Sequence, residues 1–436
     1  MRKLILAPLL ALVLICLSGC GFSNPESLMH PPKPDDTYTG LYEALQSAAG
    51  ADIKLKYPGG TESSRSAFLI SKFESDSSLQ AVACYRPSGE AAVTHLNFLK
   101  RQNGRWKSVY DLSGAGNDIE LAEVVDFDAD GISELVTMWS LPNSSDKRLA
   151  VLRIGESGFT PIIEQDVRNI YLMDFDGDNS EELLQITLDA ANHRASASLC
   201  KIRGGAPVSM GKVRLDGNVL GYTNFQEGTI ETGIRGLFFD AYKGAESLNS
   251  SQTMITEVLY YDGTLKNPFY DIESRGNRET YRPYAVNSTD LNLDGVVDIP
   301  TLTELPAILS QNEADPQYLI TWKNFTGKYL EPVLYTVMNY TDGYYLILPE
   351  QAADYFTVQN ERSSRTMTFF EYNGGSPGHV IFRVQVFSKQ EWNSYSEDEY
   401  QKIGESEAYV YAASIGIYAP EGITLEAIQE HFRLID

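Results

Sequence analysis

The chain has 436 residues, with 35 Lys and Arg against 59 Asp and Glu, for a formal charge of −24. That balance excludes a role built on phosphate contacts, because nucleic-acid affinity comes largely from basic side chains neutralising phosphates. It also disfavours adsorption of the body on anionic membrane surfaces. A composition that is 43% hydrophobic and 11% aromatic excludes wholesale disorder and provides for two or three domains.

The chain opens on Arg2 and Lys3, followed by an apolar run from Leu4 to Leu17 that is too short for a spanning helix. It ends in Leu17-Ser18-Gly19-Cys20. These four residues resemble the lipobox of bacterial lipoproteins. The resemblance implies that residues 1–19 are a signal peptide and that Cys20 carries a diacylglyceryl group. It implies a protein held on the extracytoplasmic side of the cell membrane through that lipid. Two acyl chains, each contributing ~0.8 kcal/mol per buried methylene, make a stable anchor. Without the leader, 33 basic residues face 59 acidic ones, a charge of −26.

Residues 20–36 contain Pro25, Pro31, Pro32 and Pro34 and read as a semi-extended tether. Residues 37–62 are a lead-in that starts with a short helix, Thr37 to Ala49. Leu41, Leu45 and Ala48 share one face and Gly50 is its stop. Cys84 and Cys200 are the cysteines left after the leader and the anchor; pairing stays open, and the preferred reading is two small buried hydrophobes. No CxxC or Cys/His cluster is present.

Residues 63–348 carry an internal repeat. Its clearest copies are Asp126-Phe127-Asp128-Ala129-Asp130-Gly131-Ile132-Ser133-Glu134, Asp174-Phe175-Asp176-Gly177-Asp178-Asn179-Ser180-Glu181-Glu182 and Asp290-Leu291-Asn292-Leu293-Asp294-Gly295-Val296-Val297-Asp298. Oxygen-bearing side chains stand at loop positions 1, 3, 5 and 9 each time. Position 6 is Gly, Asn and Gly, residues that accept a positive φ. Such spacing suits calcium, which takes six to eight oxygens in flexible geometry; magnesium prefers a stricter octahedron with several waters. The expected ligands are the side chains of Asp126, Asp128, Asp130 and Glu134, of Asp174, Asp176, Asp178 and Glu182, and of Asp290, Asn292, Asp294 and Asp298. The position-7 carbonyls of Ile132, Ser180 and Val296 complete the shells. Up to three calcium ions are expected.

Position 12 is Thr137, Gln185 or Thr301, and the flanks are strand-like, so the frame is neither an EF-hand nor a dockerin. It resembles the calcium loops of integrin-type FG-GAP repeats, also called VCBS repeats in bacterial surface proteins. The resemblance implies a β-propeller in which each loop joins strands of a blade. Going back 54 residues from Asp126 reaches Lys72-Phe73-Glu74-Ser75-Asp76-Ser77-Ser78-Leu79-Gln80, the same frame with Lys72 at a ligand position. It reads as a lost metal site. Asn103-Gly104, Ser157-Gly158, Gly204-Gly205 and Asp262-Gly263 mark hairpins between strand-like runs, and a last hairpin falls near Asn324–Gly327. The loop of the next unit, somewhere in 231–245, has lost the motif, with Asp240 as a weak remnant. The expected fold is mainly β, a propeller-like array of about five blade repeats.

Residues 349–436 read as a small α+β domain. Its strands are Arg365–Tyr372, Val380–Ser388 and Ala408–Ile415, and Leu425–Ile435 is its helix. It is either a partner surface or a cap over an open sheet edge. The order of lipobox, tether, short helix, repeats, Tyr281-Arg282-Pro283 and Ile299-Pro300 resembles calcium-propeller lipoproteins of Gram-positive bacteria.

No HExxH, GxSxG, GxxxxGK[ST] or GxGxxG is present. The expected function is a non-catalytic binding or scaffold module, with a protein or a cell-surface glycan as partner and no nucleic acid. Two alternatives stay open: an enzyme acting on cell-surface glycans, and a ligand-capturing protein of a transporter.

Overall fold

The computed structural model describes residues 36–59, 66–76, 78–89, 93–230, 232–243, 253–306, 316–349, 355–395 and 399–435. The leader, Cys20 and most of the proline-rich tether lie outside the described residues. Among those described, no helix is long and apolar enough to cross a membrane.

The chain is mainly β, in antiparallel sheets. It divides into two compact units. One holds residues up to 124 with 132–142 and 152–160; the other holds 125–131, 143–151 and everything from 161 on.

The first unit begins with helix α1 (Asp36–Ala49). Gly50 ends it at φ 99° while its N–H donates to the Gln46 carbonyl at 2.9 Å. Leu41 and Leu45 are fully buried against Ala81, Leu99 and Trp106. Ala48, expected on that face, is exposed. The buried stripe runs Leu41, Leu45, Ala49, along the i, i+4 ridge. The adjoining sheet orders Lys54–Leu55, Gln80–Arg86, His95–Gln102 and Arg105–Ser113, with Phe68–Ser71 also paired to Gln80–Arg86.

Four further sheets follow along the repeat. The strands Asp118–Val125, Glu134–Ser140, Lys147–Gly155 and Gly158–Val167 form one. Asn169–Met173, Glu182–Asp189, Arg194–Arg203 and Ala206–Leu215 form the next. Then come Val219–Thr229, Arg235–Lys243, Met254–Tyr261 and Leu265–Lys266. The fifth contains Ile299–Glu304, Tyr318–Phe325, Leu330–Asn339 and Tyr344–Leu348. Inner strands such as Glu134–Ser140 and Met254–Tyr261 are buried on both faces, whereas Arg105–Ser113 alternates. That contrast follows from runs of Val, Leu, Ile and Phe in the inner strands. The glycine-marked turns are where the sequence places them. Asn103 and Gly104 have φ 53° and 76°, and Gly204 and Gly205 have 56° and 75°, the positive pairs that two-residue hairpins require.

Two expectations change. The segment expected to hold a loop that has lost the acidic motif contains the strand Arg235–Lys243, and Asp240 lies within it, fully buried. The partner of Asp240 is Arg282, also fully buried, whose Nη2 donates to Oδ1 at 2.7 Å. Thr256, Ser288 and Asn224 also donate to this carboxylate. The C-terminal helix spans only Leu425–His431. The chain then turns into a strand, Phe432–Leu434, which pairs with Tyr344–Leu348 and covers the outer edge of the fifth sheet. A helix through residue 435 would leave that edge bare.

The sixth sheet orders Phe356–Glu361, Thr366–Tyr372, Pro377–Ser388, Tyr409–Ile415 and Gln401–Glu405. One core joins it to the fifth: Val337, Tyr344 and Leu346 pack with Phe369, Val384, Tyr411 and Phe432. Cys84 and Cys200 are both free and buried, as the sequence reading has them, and burial pushes their thiols up to about 12 and about 11.

Arg282→Met leaves Asp240 charged and sealed from water. Urea denaturation should show a loss of about 3–5 kcal/mol, most of it recovered in Asp240→Asn/Arg282→Met. An unchanged midpoint for the single variant would show that the pair does not hold this sheet.

Candidate metal centres

All three expected loops lie between sheet strands or at a strand entry, and they share one backbone trace. Position 6 has positive φ in each: Gly131 at 79°, Asn179 at 67°, Gly295 at 85°. Position 4 does too, with Ala129 at 54°, Gly177 at 77° and Leu293 at 61°. The sequence flagged position 6 only. Ala and Leu are not residues that announce a left-handed turn.

Side chains of the loop hold this trace. Asp174 accepts the N–H groups of Gly177, Asp178 and Asn179 at 2.7, 3.1 and 3.1 Å. Asp290 accepts those of Asp294 and Gly295 at 3.0 and 2.8 Å, and Asp126 accepts Gly131 N–H at 2.8 Å. The amides of Ser180 and Val296, at position 7, donate to the position-5 carboxylates of Asp178 and Asp294. Position 9 reaches back to position 2. Glu182 accepts Phe175 N–H at 2.7 Å, Asp298 accepts Leu291 N–H at 2.9 Å, and Gln80 of the degenerate frame accepts Phe73 N–H at 2.6 Å.

Oxygens converge in two loops. One oxygen each from Asp174, Asp176, Asp178 and Glu182 lie within 4.8 Å of one another, as do those from Asp126, Asp128 and Asp130. Among the described residues, Asp290, Asp294 and Asp298 do not form a third group so close. Asn292 donates its side-chain N–H to Asp294 Oδ2 at 2.9 Å and accepts the Asp294 N–H on Oδ1 at 3.1 Å. Asp126 Oδ1, Asp128 Oδ1 and Asp298 Oδ1 are buried without a hydrogen-bond partner. Orphaned carboxylate oxygens are what a hard cation takes up, so these loops could hold a metal ion.

The cations near these loops went unseen in the sequence. Lys201 is buried, and its Nζ contacts Asp176 at 2.8 Å, Glu182 at 3.1 Å, and Asp178. Burial works against its charge, but the bonds to the three carboxylates outweigh it and hold the ammonium above its ordinary range. Arg235 Nη1 lies 3.5 Å from Asp174. Arg153 donates to Glu134 at 2.5 Å. In the degenerate frame the cation is Lys100, on Glu74 and on Asp76 at 2.8 Å; the sequence reading had assigned Lys72. The bond from Lys100, with Ser78 beside it, keeps Asp76 well below the usual carboxylate range. Burial, with Asp294 and Asp290 adding to it, raises Asp298 to about 6.

A concavity of about 940 Å³ is the other feature the sequence did not signal. Arg168, Arg194, Lys212, Arg214, Arg275 and Tyr270 are among its lining residues. Its acids are engaged: Asp146 with Arg168, Asp166 with Arg148, and Asp189 with the Asn192 turn. Outside the loops, the buried acids Asp216, Asp240 and Glu257 have no solvent exposure and bind Lys243, Arg282 and Asn267.

No family model matches the chain, and no curated protein does. Solved structures do, at low similarity. A rhamnogalacturonan lyase, YesW, is 10% identical with a TM-score of 0.30, over 79% of this chain and 89% of that one. The rhamnogalacturonan lyase PL11 of Bacillus licheniformis is 10% identical with a TM-score of 0.26, over 82% and 90%. The β-propeller domain of the Trilobed protease from Pyrococcus furiosus is 10% identical with a TM-score of 0.25, over 73% and 88%.

Burial pushes Glu257 up from 4.5 to about 7; the amides of Asp216 and Asn267, donating at 2.8 and 2.9 Å, oppose it only in part. A carboxyl raised on folding stabilises below its unfolded value, and that contribution is lost as pH rises through the folded one. Stability should therefore fall between about pH 4.5 and 7 from this group, by on the order of 3 kcal/mol. Glu257→Gln should flatten the profile measured by chemical denaturation from pH 5 to 8. Parallel profiles for variant and wild type would remove Glu257 as the cause.

Proposed function

We propose that the protein is a calcium-stabilised, non-catalytic binding module of the FG-GAP/VCBS type. In this reading its five successive sheets are blades of a propeller-like body, held on the extracytoplasmic membrane face through lipid on Cys20. The observation that carries the metal part is the set of buried, unpartnered oxygens of Asp126, Asp128 and Asp298 inside loops of one backbone trace. A divalent ion would supply the charge those turns lack and would raise the stability of the folded state by mass action. The sealed and paired state of Asp216, Asp240 and Glu257 supports a non-catalytic reading, since no substrate reaches them.

The basic concavity favours a second element, capture of a carboxylated oligosaccharide. Arg194, Lys212, Arg214 and Arg275 form no ion pair among the described residues, and a volume of about 940 Å³ accommodates several sugar rings. Guanidinium forks match carboxylates, and Tyr270 offers a ring face.

Asp128→Ala should lower the melting temperature by several degrees in calcium and leave it unchanged in chelator; an equal loss in both would refute the ligand role. Cys20→Ala should move the protein from the membrane fraction to the soluble one, and retention at the membrane would count against the lipid anchor. For the concavity, Arg194→Ser/Arg214→Ser should weaken binding of a carboxylated oligosaccharide at least tenfold. Equal affinity for its neutral analogue would sink that reading.

A further inference from the structure

We infer that Lys201 is a tethered counter-cation for the 174–182 loop, and that the 290–298 loop, which has no such residue, depends on external calcium. This rests on the reading that these loops are calcium sites, and it ranks them.

The argument comes from comparing the same frame three times. Each position-9 side chain is buried and accepts the amide of position 2. The residue opposite position 9 on the neighbouring strand decides what faces the loop centre. Gln80 pairs with Lys100. Leu183 pairs with Cys200, which sets Glu182 against Lys201. Ile299 pairs with Lys323, which sets Asp298 against Asn324.

Lysine at this register acts as an ion would. Lys201 brings three N–H donors to the carboxylates of positions 3, 5 and 9, the oxygens a metal needs. An ammonium and a divalent ion cannot share that centre, because like charges in a half-buried site repel strongly. Lys100 repeats the arrangement on positions 3 and 5 of the 72–80 frame, where Lys72 and Gln80 have replaced the acids at positions 1 and 9. The same chain thus already contains a turn closed by lysine with a reduced acid set.

The 290–298 loop has the opposite makeup. Asp290, Asp294 and Asp298 have no ion-pair partner among the described residues. Asp298 is fully buried, with Oδ1 unpartnered, and Oδ1 of buried Asn324 is unpartnered too. Among the described residues no Lys or Arg pairs with these carboxylates.

The test is calorimetric titration of the full chain with calcium chloride, plus melting curves in calcium and in EDTA. Lys201→Gln should gain one calcium site, or bind at least tenfold tighter, and should melt lower in EDTA with recovery in calcium. Lys201→Arg should keep the wild-type response. Asn324→Lys places an ammonium opposite Asp298. It should raise the melting temperature in EDTA and abolish most of the rise that calcium gives the wild type. If wild type binds calcium but neither Lys201→Gln nor Asn324→Lys changes that binding, the ranking is overturned and the calcium reading stands. If no variant binds calcium, both are overturned.

Discussion

The structure depends on a carboxylate or amide at the ninth position of the 72–80, 174–182 and 290–298 turns, folded under the turn and bonded to the amide of its second residue. That bond turns the chain from loop into the inner strand of a sheet. It also buries the side chain, and a buried carboxylate carries a charge that water no longer screens. The surrounding acids at positions 1, 3 and 5 add to the repulsion. In the 72–80 and 174–182 frames a lysine meets those oxygens. In a chain of net charge −24, supplying those cations is the problem the fold has to solve.

It solves it in different ways. Lysines from the adjacent strand enter two frames, an arginine reaches Glu134, and Asp290, Asp294 and Asp298 have no ion-pair partner among the described residues. The sheet without an acidic turn places its carboxylate within a strand and compensates it with Arg282. Arg282 of Tyr281-Arg282-Pro283 thereby has a physical role, which is to neutralise Asp240. Such a pair adds little net stability, but either half alone is costly.

At the C-terminal end the constraint is a bare edge. Tyr344–Leu348 would present unpaired N–H and C=O groups to solvent or to another chain. Phe432–Leu434 pairs with it, and Phe432 enters the same core as Tyr344 and Tyr411. Of the two roles open to residues 349–436, the covered edge supports the capping one.

Local chemistry was readable in the sequence. The hairpin glycines, the helix stop at Gly50, the β character and the three acidic frames all follow from spacing and backbone preference over a few residues. They appear where expected because turns and alternation are short-range properties. What the sequence could not give was register. Lys201 and Lys100 look like ordinary strand lysines until pairing sets them opposite Glu182 and Gln80. Asp240 looked like a broken loop until Arg282, 42 residues on, reached it. Leu425–Ile435 kept helical periodicity although its last residues complete a sheet. The five basic residues of the concavity come from two neighbouring strands and two further segments that only folding brings together. Sequence by itself determined which turns carry negative charge. Tertiary structure decided which of them are already neutralised, because a charge is compensated by what lies within a few ångströms, and distance along the chain does not specify that.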